Sequence, residues 1–221
     1  MSAAPHEAAS RPGPGRPSSG ARERVLDAGL EVLKAEGYAG LTTAKVAARA
    51  GQNKALISYH FGSKQGLVAA VGRELSQSIT DEVLGELEPA PATTEDVARG
   101  VLDGLWHVMD RDWRLARLYF DLAAVSVVEP GVRTVMQEMK ATWREVLGEL
   151  LLGAEDGPAE GEVEALAVHV MAGLEGLMLE RLDRGETPAL AGARELFVRS
   201  AGAAQRGDQP LTQRSVPPAT A

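Results

Sequence analysis

From Val25 to Ala201 apolar residues recur every three to four positions, and the recurrence breaks at glycines, prolines and capping residues. Val25, Leu26, Leu30, Val32 and Leu33 form a first stripe that Gly37 ends. Thr42 or Thr43 then caps a short helix with Val46, Ala47 and Ala50 inward, and Gly51 stops it. Asn53 opens a third helix that closes before Gly62, with Ile57 and Phe61 one turn apart on its inner face. Ser63 caps a long fourth helix whose stripe runs Leu67, Val71, Leu75, Ile79, Val83 and Leu87, closed by Pro89 and Pro91. Thr93 and Asp96 have the spacing of a capping box for a fifth helix reaching about Asp110. A sixth carries Leu115, Leu118, Leu122 and Val125 up to Pro130, and a seventh carries Val135, Met136, Met139, Trp143 and Leu147. Pro158 precedes a long eighth helix to about Arg184, and Thr187 with Pro188 opens a ninth. Strand-like alternation and Asn-Gly hairpin signals are absent, so the pattern predicts an all-α chain of about nine helices.

The two ends break this rhythm. Residues 1–19 and 204–221 are rich in Pro, Gly, Ser and Ala with little apolar content, which predicts disordered tails. Arg11 and Arg16 are either a minor-groove arm or part of a plain solvated tail. Between the tails the helices divide into a three-helix head, 20–66, and a helical body, 67–203.

Charge sharpens that division. The net charge of -8 over 221 residues hides a basic end: residues 1–73 hold 10 Lys/Arg against 5 Asp/Glu, and 74–221 hold 13 against 26. A small basic head on an acidic body is the asymmetry expected when one end meets a polyanion. The chain has no cysteine, which removes disulfides, Cys-ligated zinc and thiol catalysis together. No aliphatic run is long enough to span a bilayer, and the amino terminus lacks the apolar segment of a secretory signal, so a soluble, cytoplasmic protein is expected. A P-loop, a Gly-x-Ser-x-Gly elbow and a His-Glu-x-x-His pair are all missing, and His107 and His169 stand apart without ligand-spaced carboxylates. The expectation is therefore no enzyme, no metal and no cofactor.

The stretch GQNKALISYHFGSKQGL, residues 51–67, carries the most chemistry. Lys54 with Ser58 and Ala55 with Tyr59 are one turn apart and point away from Ile57 and Phe61. A cation, a methyl, a hydroxyl and an amphipathic ring are groups that read a major groove. A short preceding helix joined by a tight glycine turn makes this a helix-turn-helix pair. Thr43 and Lys64, at the starts of the flanking helices, stand where helix-terminal N–H groups and side chains hold phosphates.

The segment LTTAKVAARAGQNKALISYHFGSKQGLVAAV, 41–71, is similar to the amino-terminal DNA-binding segment of TetR-family transcriptional regulators. The likeness lies in the Leu-Thr-Thr opening, the Ala-x-x-Ala-Gly turn, the aromatic end of the third helix and the Ser-Lys start of the fourth, and with the first helix it covers about 20–73. The resemblance implies that Thr43, Ser58, His60 and Lys64 hold phosphates while Lys54, Ala55 and Tyr59 meet bases. Ala44, Leu56 and Ser58 depart from the family pattern, so no relative's operator carries over. The family also implies a body that dimerises and binds a small-molecule inducer, which makes a repressor released from a palindromic operator the expected function. The competing expectation is a DNA-binding regulator or architectural protein with no small-molecule ligand, controlled by a protein partner.

For dimerisation the sequence offers its own argument. The eighth helix is apolar nearly all round, with Ala172, Gly173 and Gly176 permitting close approach, and the ninth adds Leu190, Ala193, Leu196, Phe197 and Ala201. A helix apolar on more than one stripe needs covering on more than one side, which predicts a homodimer through helices eight and nine. All three Trp and five of six Met fall in the body, and such side chains build adaptable apolar pockets. The candidate ligand-binding residues are Trp106, Met109, Trp113, Phe120, Met139, Trp143, His169 and Glu175, within a concentration that also holds Tyr119, Met136, Met171 and Met178. Glu175 is either a buried counter-charge for a cationic ligand or a solvated helix edge, and His169 is either a core histidine or a ligand donor. Gly66 and Gly72 weaken the fourth helix near its junction with the head, where a lever would bend.

Overall fold

The computed structural model describes residues 19–87 and 90–205. Their helices are α1 (Ser19–Gly40), α2 (Thr43–Ala50), α3 (Lys54–Phe61), α4 (Lys64–Glu86), α5 (Thr94–Arg111), α6 (Trp113–Ser126), α7 (Pro130–Gly153), α8 (Val163–Arg184) and α9 (Pro188–Gln205). No strand occurs among the described residues.

Local chemistry sets the ends. The side chains of Thr42, Asn53 and Ser63 accept from the N–H groups of Lys45, Ala55 and Gly66 and so start α2, α3 and α4. Thr93 and Asp96 complete the reciprocal capping box of α5, and the Thr187 hydroxyl accepts from Leu190 N–H at the start of α9. Gly51 is left-handed, at φ 62 and ψ 34. Gly51 N–H donates to Ala48 O, and Gln52 N–H donates to Ala47 O at 2.9 Å. This paired closure ends α2 and fixes the turn into α3.

Two hydrophobic clusters hold the helices. The first joins the inner faces of α1 to α3 and the first turns of α4 to Leu118 and Leu122 of α6 and to Val132, Val135, Met136 and Met139 of α7. The second gathers the end of α4, α5, the end of α7, α8 and α9 around Leu102, Leu147, Leu151, Val170 and Val198. Fully buried residues such as Leu33, Leu41, Ile57 and Leu67 each contribute about 1.5–3 kcal/mol of transfer free energy. The first cluster crosses the expected head–body boundary at 66/67.

Polar contacts stitch the same seam. Gly37, at φ 69 and ψ -175, breaks α1, and the Tyr38 N–H freed there donates to Asp121 Oδ2 of α6 at 2.8 Å. A Cβ on Gly37 would lie 2.9 Å from that same oxygen, so only glycine fits. At the α5–α6 corner Asp112 accepts from Lys34 of α1 at 2.7 Å and from Arg114 at 2.7 and 3.0 Å. The Arg114 hydrogen bonds and the Lys34 ammonium hold the Asp112 carboxyl well below the usual carboxylate range despite its burial.

Several expectations change. The helical spans reach Ser19 and Gln205, so α1 and α9 take in residues assigned to the tails; Arg11, Arg16, Pro89 and the remainder of both tails lie outside the described residues. α4 runs as one helix from Lys64 to Glu86 through Gly66 and Gly72. Gly72 also lets α7 close in: a Cβ there would meet Val135 Cγ1 at 3.3 Å and Met139 Sδ at 3.4 Å. Gly173 serves an approach within the chain, since its missing Cβ leaves room for the Phe197 ring of α9.

Candidate nucleic-acid interface and ligand cavity

On α3 the sequence pattern becomes two faces. Ile57 is fully buried, whereas Lys54, Ala55 and Ser58 are exposed and Tyr59 presents 76% of its surface to solvent. Lys54 makes no ion pair among the described residues, so its charge is available to a ligand. Thr43 is half-buried in the first turn of α2, one residue after the cap. These groups lie on helices held at fixed angles by the Gly51 closure on one side and Gly62 on the other. Gly62 adopts φ 71 and ψ -57, with Ser63 N–H donating to Phe61 O at 2.7 Å. That is the rare γ-turn with positive φ, which favours glycine.

Two expected phosphate holders sit differently. The Lys64 ammonium turns inward, donating to Tyr38 O at 2.6 Å and lying 3.9 Å from the Tyr38 ring centroid. Burial pushes its pKa down, with the charge of Glu129 working the other way. His60 is half-buried with its ring edge-on to Tyr59, and its Nε2 lies below the surface without a protein partner. In this arrangement neither group faces outward as Lys54 and Tyr59 do.

The body contains a cavity of about 100 Å³ between α4, α5, α6, α7 and α8. Its wall is almost wholly apolar and includes Met109, Met139, Trp143, Met171 and Met178. Four polar side chains interrupt it, those of Ser76, Tyr119, Lys140 and Glu175. Glu175 Oε1 accepts from the Tyr119 hydroxyl at 2.6 Å and from Lys140 Nζ at 2.8 Å. Burial and the neighbouring Glu175 push the Tyr119 phenol far above its ordinary value, so it stays protonated and donates. Ser76 of α4 is 5% exposed, and its Oγ has no partner.

Of the eight expected ligand residues, the cavity wall takes Met109, Met139, Trp143 and Glu175. The other four lie outside that wall. Trp106 is buried beside two guanidinium groups, with Arg194 4.7 Å and Arg181 5.0 Å from its ring centroid and its indole N–H donating to Glu186. Trp113 is 54% exposed beside Arg117. Phe120 is half-buried edge-on against Tyr119 and outside the wall. His169 lies exposed on the outer face of α8, its Nε2 3.4 Å from Ser200 Oγ of α9. That outer face also exposes Val168, Ala172, Gly176, Leu179 and, on α9, Leu196 at 63%.

Sequence reasoning did not single out Lys140 or Ser76. Lys140 reads as an ordinary solvated position on α7, and Ser76 as a small residue beside an apolar stripe. Among the described residues no group of acidic and histidine side chains could hold a metal ion, and no helix is long and apolar enough to cross a membrane.

Residues 25–71 match the family described as bacterial regulatory proteins, tetR family, and residues 94–204 match the BetI-type transcriptional repressor, C-terminal family. The HTH-type transcriptional regulator BetI of Cronobacter sakazakii is 28% identical over 198 residues, covering 83% of this chain and 92% of that protein. BetI of Escherichia coli is 33% identical over 84 residues, 38% of this chain and 43% of that protein. In fold, the chain resembles a putative transcriptional regulator from Saccharomonospora viridis solved in complex with choline, with TM-score 0.62, 19% identity and coverage of 81% of this chain and 94% of that one.

Proposed function

Because the chain belongs to the TetR family of bacterial transcriptional regulators, we propose that it is a homodimeric repressor released from a palindromic operator by a small organic cation. The outward face of α3 carries the DNA half of this reading. Lys54, Ala55, Ser58 and Tyr59 project from a short helix whose inner side is locked by Ile57. Lys54 and Tyr59 meet base edges, and Thr43 and Ser58 hold phosphates. His60 and Lys64 reach phosphates only after turning away from their present contacts.

Dimerisation through α8 and α9 is supported by the exposed apolar face that includes Val168, Leu179 and Leu196. A twofold pairing there covers that face and sets two recognition helices about one DNA turn apart. The cavity favours a small-molecule signal over control by a protein partner, since a largely apolar pocket between five helices suits a small molecule. A carboxylate beside Tyr119 and Trp143 favours a cation with apolar substituents, and the choline-bound structural neighbour is consistent with that class. The ligand acts by population shift, favouring a body conformation whose head spacing does not match the operator. α6 joins the two sites: Tyr119 faces the cavity, and Asp121 two residues on holds the Tyr38 N–H of the head.

Selection from a random-sequence DNA pool at near-physiological salt tests the reading. Enrichment of a near-palindrome, with its affinity lowered by an added cation, is the expected result. Weak, salt-sensitive binding with no enriched sequence would refute sequence-specific regulation.

A further inference from the structure

Glu175 is the anionic group in the wall of an apolar cavity, and the chain already answers it with a cation of its own. Lys140 Nζ reaches from α7 to within 2.8 Å of Glu175 Oε1 and lies 5.9 Å from the centroid of the Tyr119 ring. The Tyr119 hydroxyl holds the same oxygen from the other helix. The ammonium thus has a carboxylate against it and an aromatic ring beside it, the two contacts by which a ligand cation would be recognised. A carboxylate left alone in apolar surroundings is costly, and a tethered cation removes much of that cost. Side-chain exposures of 34% for Lys140 and 31% for Glu175 leave the pair partly open to solvent. The ammonium can therefore return to water by rotation of its four-carbon stem, without movement of α7.

We propose that Lys140 is a resident competitor: in the ligand-free protein its ammonium occupies the cation subsite at Glu175, and an incoming cation binds by displacing it. The inference rests on the cavity being the ligand site, as argued above. Binding is then an exchange of cations at one carboxylate. A lysine seated nine-tenths of the time lowers the apparent affinity about tenfold relative to an unoccupied subsite. Lys140 thereby sets the concentration at which the regulator responds. It also rejects uncharged molecules of the same shape, because they offer Glu175 nothing in exchange for the ammonium they evict.

The test uses the full chain and three probes of nearly one shape: choline, its uncharged isostere 3,3-dimethylbutan-1-ol, and the anion 3,3-dimethylbutanoate. Affinities are measured by calorimetry for wild type, Lys140→Met, Lys140→Gln and Lys140→Arg. The expected result is choline binding about tenfold tighter to the Met and Gln variants, with the Arg variant close to wild type because it keeps the competing charge. Equal choline affinity in wild type, Met and Gln variants would show that Lys140 does not compete, leaving the cation site itself intact. Binding of 3,3-dimethylbutanoate to wild type but not to Lys140→Met would make the lysine the recognising group and overturn the proposal. Failure of choline to bind any of the four proteins would overturn the cation reading of the cavity, and the proposal with it. Matching thermal melts of the Gln and Arg variants separate these outcomes from misfolding.

Discussion

Replacing Asp112 with Asn removes one charge at the seam between head and body. Asp112 ends α5, caps α6 by accepting from Arg114 N–H at 3.2 Å, and accepts from Lys34 of α1 at 2.7 Å. Its side chain is 14% exposed and that of Lys34 11%, so the pair is shielded from water. Asparagine caps a helix as well as aspartate and fills the same space, but Asp112→Asn removes the negative charge and turns one of the two acceptors that face Lys34 and Arg114 into an amide donor. A hydrogen bond to a charged group contributes about 1.5–3 kcal/mol, but Lys34 keeps Glu31 at 2.8 Å. The net cost at neutral pH is therefore about 1–2 kcal/mol, or roughly 2–8 °C in Tm for a chain of this size. The pH dependence has a definite sign. The folded-state pKa of Asp112 is depressed, so its stabilisation is complete above the unfolded-state value near 4 and is lost as pH falls toward the folded-state value. The gap between wild type and Asp112→Asn stays constant from about pH 8 to pH 5 and narrows below about pH 4, by at most ~1.4 kcal/mol per pH unit. Thermal melts followed by circular dichroism across that range measure it. A gap that persists undiminished near pH 3 would refute the reasoning, since the loss would then be one of shape rather than charge.

Other outcomes follow from the two sites and the outer face. Lys54→Gln changes which operator positions are preferred, as expected of a base-reading lysine; competition binding with operator variants measures it, and an equal loss on specific and random DNA would refute the role. Leu196→Glu buries a charge in the proposed twofold interface, so sedimentation should show a monomer and operator affinity should collapse; an unchanged dimer would move the interface elsewhere. Ser76→Ala removes a buried hydroxyl that has no partner, so the melting temperature of the ligand-free protein stays level or rises; a fall of several degrees would mean that Oγ is hydrogen-bonded after all.

Every helix was legible because helix signals are local. Thr42, Asn53, Ser63, Thr93 and Thr187 act within three residues of themselves, so their spacing in the sequence is already their geometry. The two faces of α3 were legible for the same reason, since Ile57 in and Tyr59 out follow from helical period alone. What required the fold was everything decided by residues far apart. Trp106 looks like a pocket residue until Arg181 and Arg194, 75 and 88 positions on, bring their guanidinium groups over its ring. Lys64 reads as a phosphate holder from the sequence, and only the fold shows its ammonium resting on the Tyr38 carbonyl, 26 positions back. Glu175 could be read either way in the sequence, and only Tyr119 and Lys140, brought in from α6 and α7, place it in the cavity wall.

The hydrophobic cluster that runs from α1 through α4 into α6 and α7 limits how such a regulator can be rebuilt. A chimera that exchanges recognition specificity by swapping residues 20–66 cuts through that cluster. It leaves Leu118, Leu122, Val132 and Val135 facing a foreign surface. A workable transplant takes the reading helices with their contacts on α6 and the first turns of α7, or else keeps the whole scaffold and changes only the outward residues of α3. The second route touches four exposed side chains and none of the packing. Changing the operator is therefore a smaller perturbation to this molecule than changing the body to which its reader is attached.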